Sequence, residues 1–236
     1  MEENLFIIIP AFNEQENIRK TVEEWHGAVE KTGKSSRLVI IDDGSKDDTY
    51  KILMDMKERF QQLIAITKQN SGHGATVLYG YRYALENGVD YVFQTDSDGQ
   101  TSSDDFYGFW EQRKSFEVII GKRNKRQDGL SRVFVSKTLK FVLFCIFKIS
   151  VSDANSPFRL MKAETLKKYI DKIPANFNLA NVLLSVYFVK YKERIKFIPI
   201  SFKKRQGGIN SINIGKIFLI AKQAVKDFTN IQKGMV

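Results

Sequence analysis

Two aspartates separated by one residue, Asp96 and Asp98, follow the apolar run 91–95 and precede Gly99 and Gln100. Carboxylate oxygens are ligands that Mg²⁺ and Mn²⁺ accept in proteins. A divalent ion held by carboxylates lets an acidic site bind an anionic diphosphate that the carboxylates alone would repel. The same ion would neutralise the charge on a leaving diphosphate. The Asp-Ser-Asp run therefore predicts a metal-assisted diphosphate site, although acidic surface loops also contain such runs.

Two more aspartates, Asp42 and Asp43, follow the apolar run 37–41 and precede a Gly-Ser pair. A carboxylate at the end of a strand can accept hydrogen bonds from a nucleoside base or from ribose hydroxyls. The alternative is a loop that caps the next helix, which explains Ser45 but not two adjacent aspartates. We interpret the pair as a candidate nucleoside site.

A third cluster, Pro-Ala-Phe-Asn-Glu, follows the apolar run 5–9. Pro10 is expected to end the strand, and Phe12 could line a pocket for a base. Glu14 opens a predicted helix, where negative charge complements the helix dipole. Taken alone, the capping role of Glu14 is the stronger interpretation.

Strand and helix patterns alternate through the first half of the chain, which is typical of a parallel α/β sheet covered by helices on both faces. In such sheets ligands bind beyond the carboxyl ends of the strands, where all three polar clusters fall. The predicted strands are 5–9, 37–41, 63–67, 91–95, 118–120 and, as an edge strand with Pro199 inside it, 195–202. The predicted helices are 14–31, 48–60, the segment from the Gly72-Gly74 loop to Asn87-Gly88, 104–114, one or two within 131–150, 163–170, 179–192 and 214–228.

The charge of the chain is strongly asymmetric. Residues 1–118 carry 13 Lys and Arg against 21 Asp and Glu, a net charge of −8, whereas residues 119–236 carry 24 against 6, a net charge of +18. A basic half predicts an anionic partner, and nucleic acid, anionic lipid and phosphorylated substrates all qualify. No nucleic-acid-binding motif is visible, so a nucleic-acid-binding module is the distant alternative.

The single cysteine, Cys145, excludes an internal disulfide and fits a reducing compartment. It is expected to be a buried, inert thiol. The start of the chain is acidic, and no apolar run approaches the ~20 residues that a membrane span needs. We therefore expect a cytoplasmic protein.

Taken together and in order, these motifs resemble those of family 2 glycosyltransferases. The segments that carry the resemblance are 10–14, 42–45, 72–74 and 96–100. Within that family the chain is similar to the polyprenyl-phosphate branch, typified by dolichol-phosphate mannose synthase, through Ser-Pro-Phe-Arg at 156–159 and Arg-Gln-Gly-Gly at 205–208 with Ser211.

The resemblance implies a GT-A type fold and inverting transfer of a sugar from a nucleotide diphosphate sugar, with Mg²⁺ or Mn²⁺ as cofactor. It implies nucleotide-sugar binding by Pro10, Phe12, Glu14, Asp42, Asp43, Gly74 and Asp96. It implies metal binding by Asp96, Asp98 and Gln100. It also places Arg123, Arg159 and Arg205 at a phosphate, and the planar fork of arginine suits phosphate oxygens.

The acceptor is less well determined by the residues. Transfer to a sugar hydroxyl needs a general base, and the Glu-Asp pair that sugar-extending members often carry is missing; Asn178 and Asn181 stand near the expected region. A phosphate acceptor is already an anion and needs no base. We therefore favour a lipid phosphate, with a sugar hydroxyl of a surface polysaccharide as the alternative. Asp153 is expected to be either a base or the partner of an arginine, which leaves Asp98, Arg123 and Asp153 as the candidate catalytic residues.

The domain organisation follows from these assignments. We expect a catalytic domain over 1–210, with a nucleotide-sugar half 1–121 and an acceptor half 122–210, and an amphipathic helical extension over 211–236. The helices around 141–147, flanked by Lys140 and Lys148, and 214–228 carry a mixture of Phe, Ile and Lys that is typical of a membrane interface, although packing on the core is the alternative. Peripheral association with the inner face of the membrane is therefore expected, and oligomeric state is not predicted.

Overall fold

A computed structural model describes residues 3–123, 130–203 and 214–234, without the side chains of 130–135 and 214–222. Its strands are β1 Leu5–Ala11, β2 Arg37–Asp42, β3 Leu63–Thr67, β4 Tyr91–Gln94, β5 Val118–Arg123, β6 Arg159–Lys162 and β7 Ile195–Ile200. Its helices are α1 Ile18–Glu30, α2 Thr49–Lys57, α3 His73–Glu86, α4 Asp104–Glu111, α5 Leu130–Phe147, α6 Ala163–Ile170, α7 Ala180–Lys190 and α8 Ile214–Lys233. The described residues include no helix that is both long and apolar enough to cross a membrane.

All seven of these strands form one sheet in the order β3-β2-β1-β4-β6-β5-β7. β6 runs antiparallel to its neighbours β4 and β5, and the other pairs are parallel. The predicted mostly parallel α/β sheet is therefore confirmed, and so is the edge position of β7. β6 was not predicted, because its four residues, Arg-Leu-Met-Lys, are too few to show a strand period.

The two faces of the sheet bury separate apolar clusters. Alternate residues of β1 point to opposite faces, so that Phe6 and Ile8 join the cluster on one side and Leu5, Ile7 and Ile9 join the other. Residues of α3, α5, α6, α7 and α8 cover the first face, and residues of α1, α2 and α4 cover the second. This arrangement holds the strand ends in a fixed layer between the helices.

The prediction that Pro10 ends the first strand is wrong, because β1 continues to Ala11. β4 pairs with β1 only up to Ile8, so the ladder on that side does not need an N–H from Pro10. The carbonyl of Pro10 accepts a hydrogen bond from Ser97 Oγ at 2.9 Å instead. Pro10 therefore lies beyond the part of β1 that pairs with β4, where β1 contacts the loop that follows β4.

The helix α8 packs through its later turns on the first face of the sheet. Phe228 is fully buried, and its ring centroid lies 5.8 Å from that of Phe147 in α5 and 6.0 Å from that of Phe177. The 211–236 segment that we expect to be an extension therefore contributes a core residue to the catalytic fold.

Candidate active site

Three strand ends place the predicted polar clusters at one edge of the sheet. β1 is flanked by β2 and β4, and all three run parallel. The N–H of Asp43 donates to the carbonyl of Ala11 at 2.8 Å, which joins the second and third clusters described from the sequence. Ser97, between the two aspartates of the Asp-Ser-Asp run, reaches the end of β1 through Pro10. The three clusters thus meet as the parallel topology requires.

The loop after β1 exposes one aromatic ring and buries one carboxylate. Phe12 is 43% exposed, so its ring is open to a ligand. Asn13 takes a left-handed φ of 54° and links to Ser45 and Lys46 through its N–H and its Oδ1, both at 2.9 Å. Glu14 is buried and accepts a hydrogen bond from Asn17 Nδ2 at 2.8 Å at the start of α1. The N–H of Ile18, the first residue of α1, donates to the carbonyl of Glu14 at 2.8 Å. The predicted place of Glu14 in the first turn of the helix is wrong, because Glu14 precedes α1 and that turn contains no acidic residue.

The carboxylate of Asp42 is buried and is bound by other residues of the protein. The residue is almost fully buried, and its carboxylate accepts hydrogen bonds from Thr67 Oγ1 at 2.7 Å and from the N–H of Ser45 at 3.2 Å. It thereby joins the end of β3 to the turn that follows β2. Gly44 in this turn has a φ of +68° and lies so close to the backbone of Asn70 that a Cβ would be 3.0 Å from its nitrogen.

Asp43 anchors the loop that leads into α3. Its carboxylate accepts hydrogen bonds from the N–H of Ser71 at 2.9 Å and of Gly72 at 2.8 Å, and it forms an ion pair with Lys68. Burial would raise the pKa of Asp43, but the hydrogen bonds from Lys68 and from this loop outweigh it and lower the pKa. The side chain is only 5% exposed, so Asp43 shapes the wall of the site from within the protein.

His73 and Asp96 are in hydrogen-bond contact across the site, with 3.0 Å between Nε2 and Oδ1. Crowding by the surrounding loops would lower the pKa of His73, although half of the side chain stays exposed. The neighbouring carboxylates, with Asp96 first, outweigh this effect and raise the pKa. The observed partner is a carboxylate of the Asp-Ser-Asp run.

Gly74 lies where the first turn of α3 packs against the backbone before α7. A Cβ at this position would be 2.3 Å from the carbonyl oxygen of Phe177 and 2.4 Å from that of Asn178. No other residue fits without displacement of that backbone. Gly74 therefore sets the close approach of the two halves of the chain beside Asp96.

The Asp-Ser-Asp-Gly-Gln loop is tied to the segment after β7. The N–H of Gln100 donates to Asp98 Oδ1 at 3.1 Å. Gln100 and Lys203 form two hydrogen bonds with each other. Gln100 Nε2 donates to the carbonyl of Lys203 at 3.1 Å, and the N–H of Lys203 donates to the carbonyl of Gln100 at 2.8 Å. Arg205, two residues further on, lies outside the described residues.

The oxygen donors of this loop fit a Mg²⁺ or Mn²⁺ ion that a substrate helps to hold. Asp96 and Asp98 offer carboxylates, and Gln100 carries a side-chain oxygen besides the nitrogen that Lys203 binds. No group of three or more His, Cys, Asp and Glu side chains in the described part of the chain is arranged to hold a metal alone. Mg²⁺ is commonly bound by one or two carboxylates together with substrate phosphates, so a smaller donor set matches that mode.

Arg123 and Asp153 form a two-point ion pair at the end of β5. Arg123 Nε lies 2.8 Å from one carboxylate oxygen of Asp153, and Nη2 lies 2.7 Å from the other. Both side chains are about nine-tenths buried, and Phe202 stacks near the guanidinium with 5.4 Å to its ring centroid. Of the two predicted roles for Asp153, the described contacts match that of an arginine partner.

The prediction that Arg159 contacts an acceptor phosphate is wrong for this structure, because its side chain is completely buried. The guanidinium donates to three backbone carbonyls, those of Ser156 at 2.6 Å, Asn181 at 3.1 Å and Ala154 at 3.2 Å. Burial lowers the pKa of Arg159. It binds the loop after Asp153 to the start of α7, beneath the site.

A buried polar group beside Arg159 was not predicted from the sequence. Tyr81 in α3 donates a hydrogen bond to Gln94 Oε1 at the end of β4, and its hydroxyl lies 3.4 Å from Asn181 Oδ1. Burial raises the pKa of Tyr81 well above its usual value. The pattern of apolar residues in α3 indicates only that Tyr81 faces the sheet. Its hydrogen-bond partners, Gln94 and Asn181, could not be predicted, because they are far from Tyr81 in the sequence.

The family model described as glycosyl transferase family 2 matches residues 6–170. The chain belongs to this family. It is 29% identical over 191 residues to the UDP-N-acetylglucosamine–dolichyl-phosphate N-acetylglucosaminyltransferase of Methanococcus voltae, a match that covers 72% of this chain and 74% of that protein. It is 27% identical over 143 residues to an undecaprenyl-phosphate 4-deoxy-4-formamido-L-arabinose transferase of Pectobacterium atrosepticum, covering 59% of this chain but only 43% of that protein.

The fold is that of a solved glycosyltransferase of the GT-A type. The crystal structure of glucosyl-3-phosphoglycerate synthase from Mycobacterium tuberculosis, in complex with Mn²⁺, uridine diphosphate and phosphoglyceric acid, superimposes with a TM-score of 0.74. The alignment covers 98% of this chain and 78% of that one, at 12% identity. The predicted fold class is confirmed, and at this identity the likeness is one of fold alone.

Proposed function

We propose that this family 2 glycosyltransferase moves a sugar from a nucleotide diphosphate sugar to the phosphate of a polyprenyl lipid, with inversion at the transferred carbon. The observation that carries the proposal is the presence of an acidic donor edge, around Asp96 and Asp98 after β4, and of Arg123 at the carboxyl end of β5, with β6 between these two strands. The two relatives named above are, by their names, transferases that act on lipid phosphates, which agrees with this assignment.

The donor would lie along the ends of β1, β2 and β4. The exposed ring of Phe12 offers a face for the base, and the loop that Asp43 holds in place forms the opposite wall. Asp96 and Asp98, with Gln100, would hold Mg²⁺ or Mn²⁺, which when bound neutralises charge on the departing diphosphate. His73 stands beside Asp96, where its cationic form would face the same phosphates.

The acceptor would meet Arg123. Its guanidinium is held in one orientation by Asp153 and by the ring of Phe202, so its remaining N–H groups point in fixed directions. A phosphate acceptor carries its own negative charge and can attack without losing a proton. Arg205 is proposed as a second phosphate ligand from its place in the sequence.

Transfer to a sugar hydroxyl is the weaker candidate. It needs a general base near the acceptor. Asp153 is the carboxylate closest in sequence to the Ser-Pro-Phe-Arg segment at 156–159. Both oxygens of Asp153 already accept from Arg123, so the pair favours an ionised carboxylate that positions the arginine. A lipid-phosphate acceptor also implies action at a membrane surface, which we include in the proposal.

A transfer assay tests this function. Purified protein is incubated with a panel of UDP- and GDP-sugars, Mn²⁺ or Mg²⁺, and a detergent-solubilised polyprenyl phosphate; labelled sugar in the organic phase and released nucleoside diphosphate are measured. Asp98→Ala is expected to reduce transfer at least ~100-fold, as loss of a transition-state contact does in other enzymes. Asp55→Ala, an exposed carboxylate on α2, is the control and should leave the rate unchanged.

Three results would overturn the proposal. The first is wild-type transfer by Asp98→Ala, and the second is transfer that chelation of divalent ions does not affect. The third is transfer to soluble saccharides while polyprenyl phosphate accepts none, which would establish the sugar-hydroxyl alternative.

A further inference from the structure

The exposed side of α5 carries large aromatic residues beside lysines. We propose that this face docks on the surface of an anionic lipid bilayer. Its members are Lys137, Phe141, Phe144, Cys145 and Lys148, called here the Phe–Lys stripe. The inference rests on the proposed function, because a polyprenyl phosphate acceptor lies in such a bilayer, and it identifies the part of this chain that meets the lipid.

The spacing of these residues places them on one side of the helix. Lys137, Phe141, Phe144 and Cys145 stand at i, i+4, i+7 and i+8, and Lys148 is the first residue after the helix. The opposite side of α5 contributes Leu143 and Phe147 to the apolar core. The fold therefore uses the buried side of α5 for packing and leaves the stripe uncovered by the described residues.

The two phenylalanines are the most exposed large apolar side chains among those that the structure describes. Phe141 is 68% exposed and Phe144 is 56% exposed, whereas the other exposed large apolar side chains in these residues reach at most 43%. Two neighbouring phenylalanines on one helical face form a contiguous apolar patch, and such patches mark interaction sites.

The charges around the patch identify its partner. Lys137, Lys140 and Lys148 are all exposed, and the sequence from 130 to 152 contains no Asp or Glu. The ammonium of Lys148 lies 6.0 Å from the ring centroid of Phe144. Aromatic rings that enter the acyl boundary while lysines stay among anionic headgroups are the pattern of an interfacial helix. An apolar protein surface would satisfy the rings but not this row of cations.

The position of α5 in the chain links the stripe to the acceptor side of the site. In the chain α5 stands between Arg123, the last residue of β5, and Asp153, which precedes β6, and these two residues are paired at 2.7 Å. Lys148 is five residues from Asp153, a stretch that spans at most about 18 Å. A bilayer bound by the stripe would therefore lie within a short distance of the proposed phosphate-binding arginine.

The single native cysteine gives a direct test. Cys145 lies in the stripe and is exposed, contrary to the buried thiol expected from the sequence. Its rate of reaction with a membrane-impermeant maleimide is measured with and without vesicles that contain phosphatidylglycerol. We expect the vesicles to slow the reaction at least ~10-fold. In the control variant Cys145→Ser/Met54→Cys, whose cysteine is exposed on α2 on the other face of the sheet, the rate should not change.

Cosedimentation with the same vesicles separates the contribution of the phenylalanines to binding from that of the lysines. Phe141→Ser/Phe144→Ser should weaken binding at least ~10-fold through lost apolar burial, and Lys137→Gln/Lys140→Gln/Lys148→Gln should weaken it by about fivefold per lysine. Lys51→Gln/Lys57→Gln on α2 is the matched control and should bind as wild type. Vesicles of phosphatidylcholine alone, or high salt, should weaken wild-type binding in the same way as the lysine changes.

The outcomes distinguish this inference from the proposed function. If the wild-type protein does not bind anionic vesicles, or if the phenylalanine variant binds as wild type, the stripe is not the docking surface. If the phenylalanine variant changes a dimer into a monomer in sedimentation velocity while vesicle binding is unaltered, the stripe contacts a second copy and the inference is wrong. The phenylalanine variant and the triple lysine variant should both retain transfer to detergent-solubilised polyprenyl phosphate. Absence of this transfer in the wild type would instead refute the proposed function.

Discussion

The guanidinium of Arg123 contacts both carboxylate oxygens of Asp153, at 2.7 and 2.8 Å, and so joins the end of β5 to the segment before β6. This pair fixes the direction of an arginine that would otherwise have several flexible bonds. Because it is about nine-tenths buried, it is screened less by solvent than a surface pair. Asp153 is therefore best understood as a positioning residue for Arg123.

Replacement of Asp153 by Asn should uncouple this arginine from its support. We expect the free energy of unfolding to fall by about 2–3 kcal/mol, since a largely buried cation would lose its anionic partner. The kcat/KM for polyprenyl phosphate should fall at least ~10-fold because Arg123 is no longer oriented. The Kd for the nucleotide sugar, measured by thermal shift with Mn²⁺, should change little.

The pair of Glu117 and Arg194 provides a matched control at the other end of β5. Glu117 precedes β5 and Arg194 precedes β7, so this pair lies at the opposite end of these strands from Arg123. Glu117→Gln should reduce stability without changing kcat/KM for the lipid phosphate. Equal kinetic losses in the two variants would show that general destabilisation, and not the orientation of Arg123, determines the rate.

Arg159 supports the same region from beneath. Arg159→Met keeps much of the side-chain volume but leaves the carbonyl of Ser156 without its donor. The carbonyls of Ala154 and Asn181 also lose Arg159, although Ser185 Oγ lies 2.9 Å from each of them. A loss of about 1–3 kcal/mol is expected in chemical denaturation, because a buried acceptor becomes unsatisfied. Arg159→Lys should be intermediate, since one ammonium cannot reach all three carbonyls. Wild-type stability of the methionine variant would contradict this account.

The donor edge of the site could be predicted from the sequence. Runs such as 37–41 and 63–67 are apolar, short and followed by polar residues, so their strands and the edge where those polar residues meet follow from local pattern alone. The clustering at the ends of β1, β2 and β4 needs only the parallel topology.

The acceptor side could not be predicted in the same way. β6 is short and antiparallel, and it pairs with β4, about 70 residues away in the sequence, and with β5, about 40 residues away, so its existence depends on distant partners. The burial of Arg159 follows from that pairing, since it lies opposite Gln94 between two strands. An arginine in a basic segment is normally solvated, and nothing local distinguishes one that satisfies backbone carbonyls.

Gly74 offers a test of the contact between the two halves of the chain. Gly74→Ala would place a methyl group within 2.4 Å of two backbone carbonyl oxygens, so the free energy of unfolding should fall by about 3 kcal/mol or more. Gly27→Ala and Gly108→Ala, in helices where a Cβ meets nothing within 4 Å, should instead raise it by about 0.4–1 kcal/mol. A neutral Gly74→Ala variant would mean that the approach of α3 to the 177–178 backbone is not required.

The ion pair of Glu117 also predicts how stability depends on pH. Hydrogen bonding by Arg194 lowers the pKa of Glu117 from 4.5 to about 2. A carboxylate with a folded-state pKa below its unfolded value contributes its full stabilisation above the unfolded pKa and loses it as the pH falls through the folded pKa. The difference in unfolding free energy between wild type and Glu117→Gln should therefore be constant above about pH 5 and shrink between pH 4.5 and 2. Urea denaturation at a series of pH values measures it, and a difference that persists unchanged at pH 2 would show that Arg194 does not stabilise the ionised carboxylate.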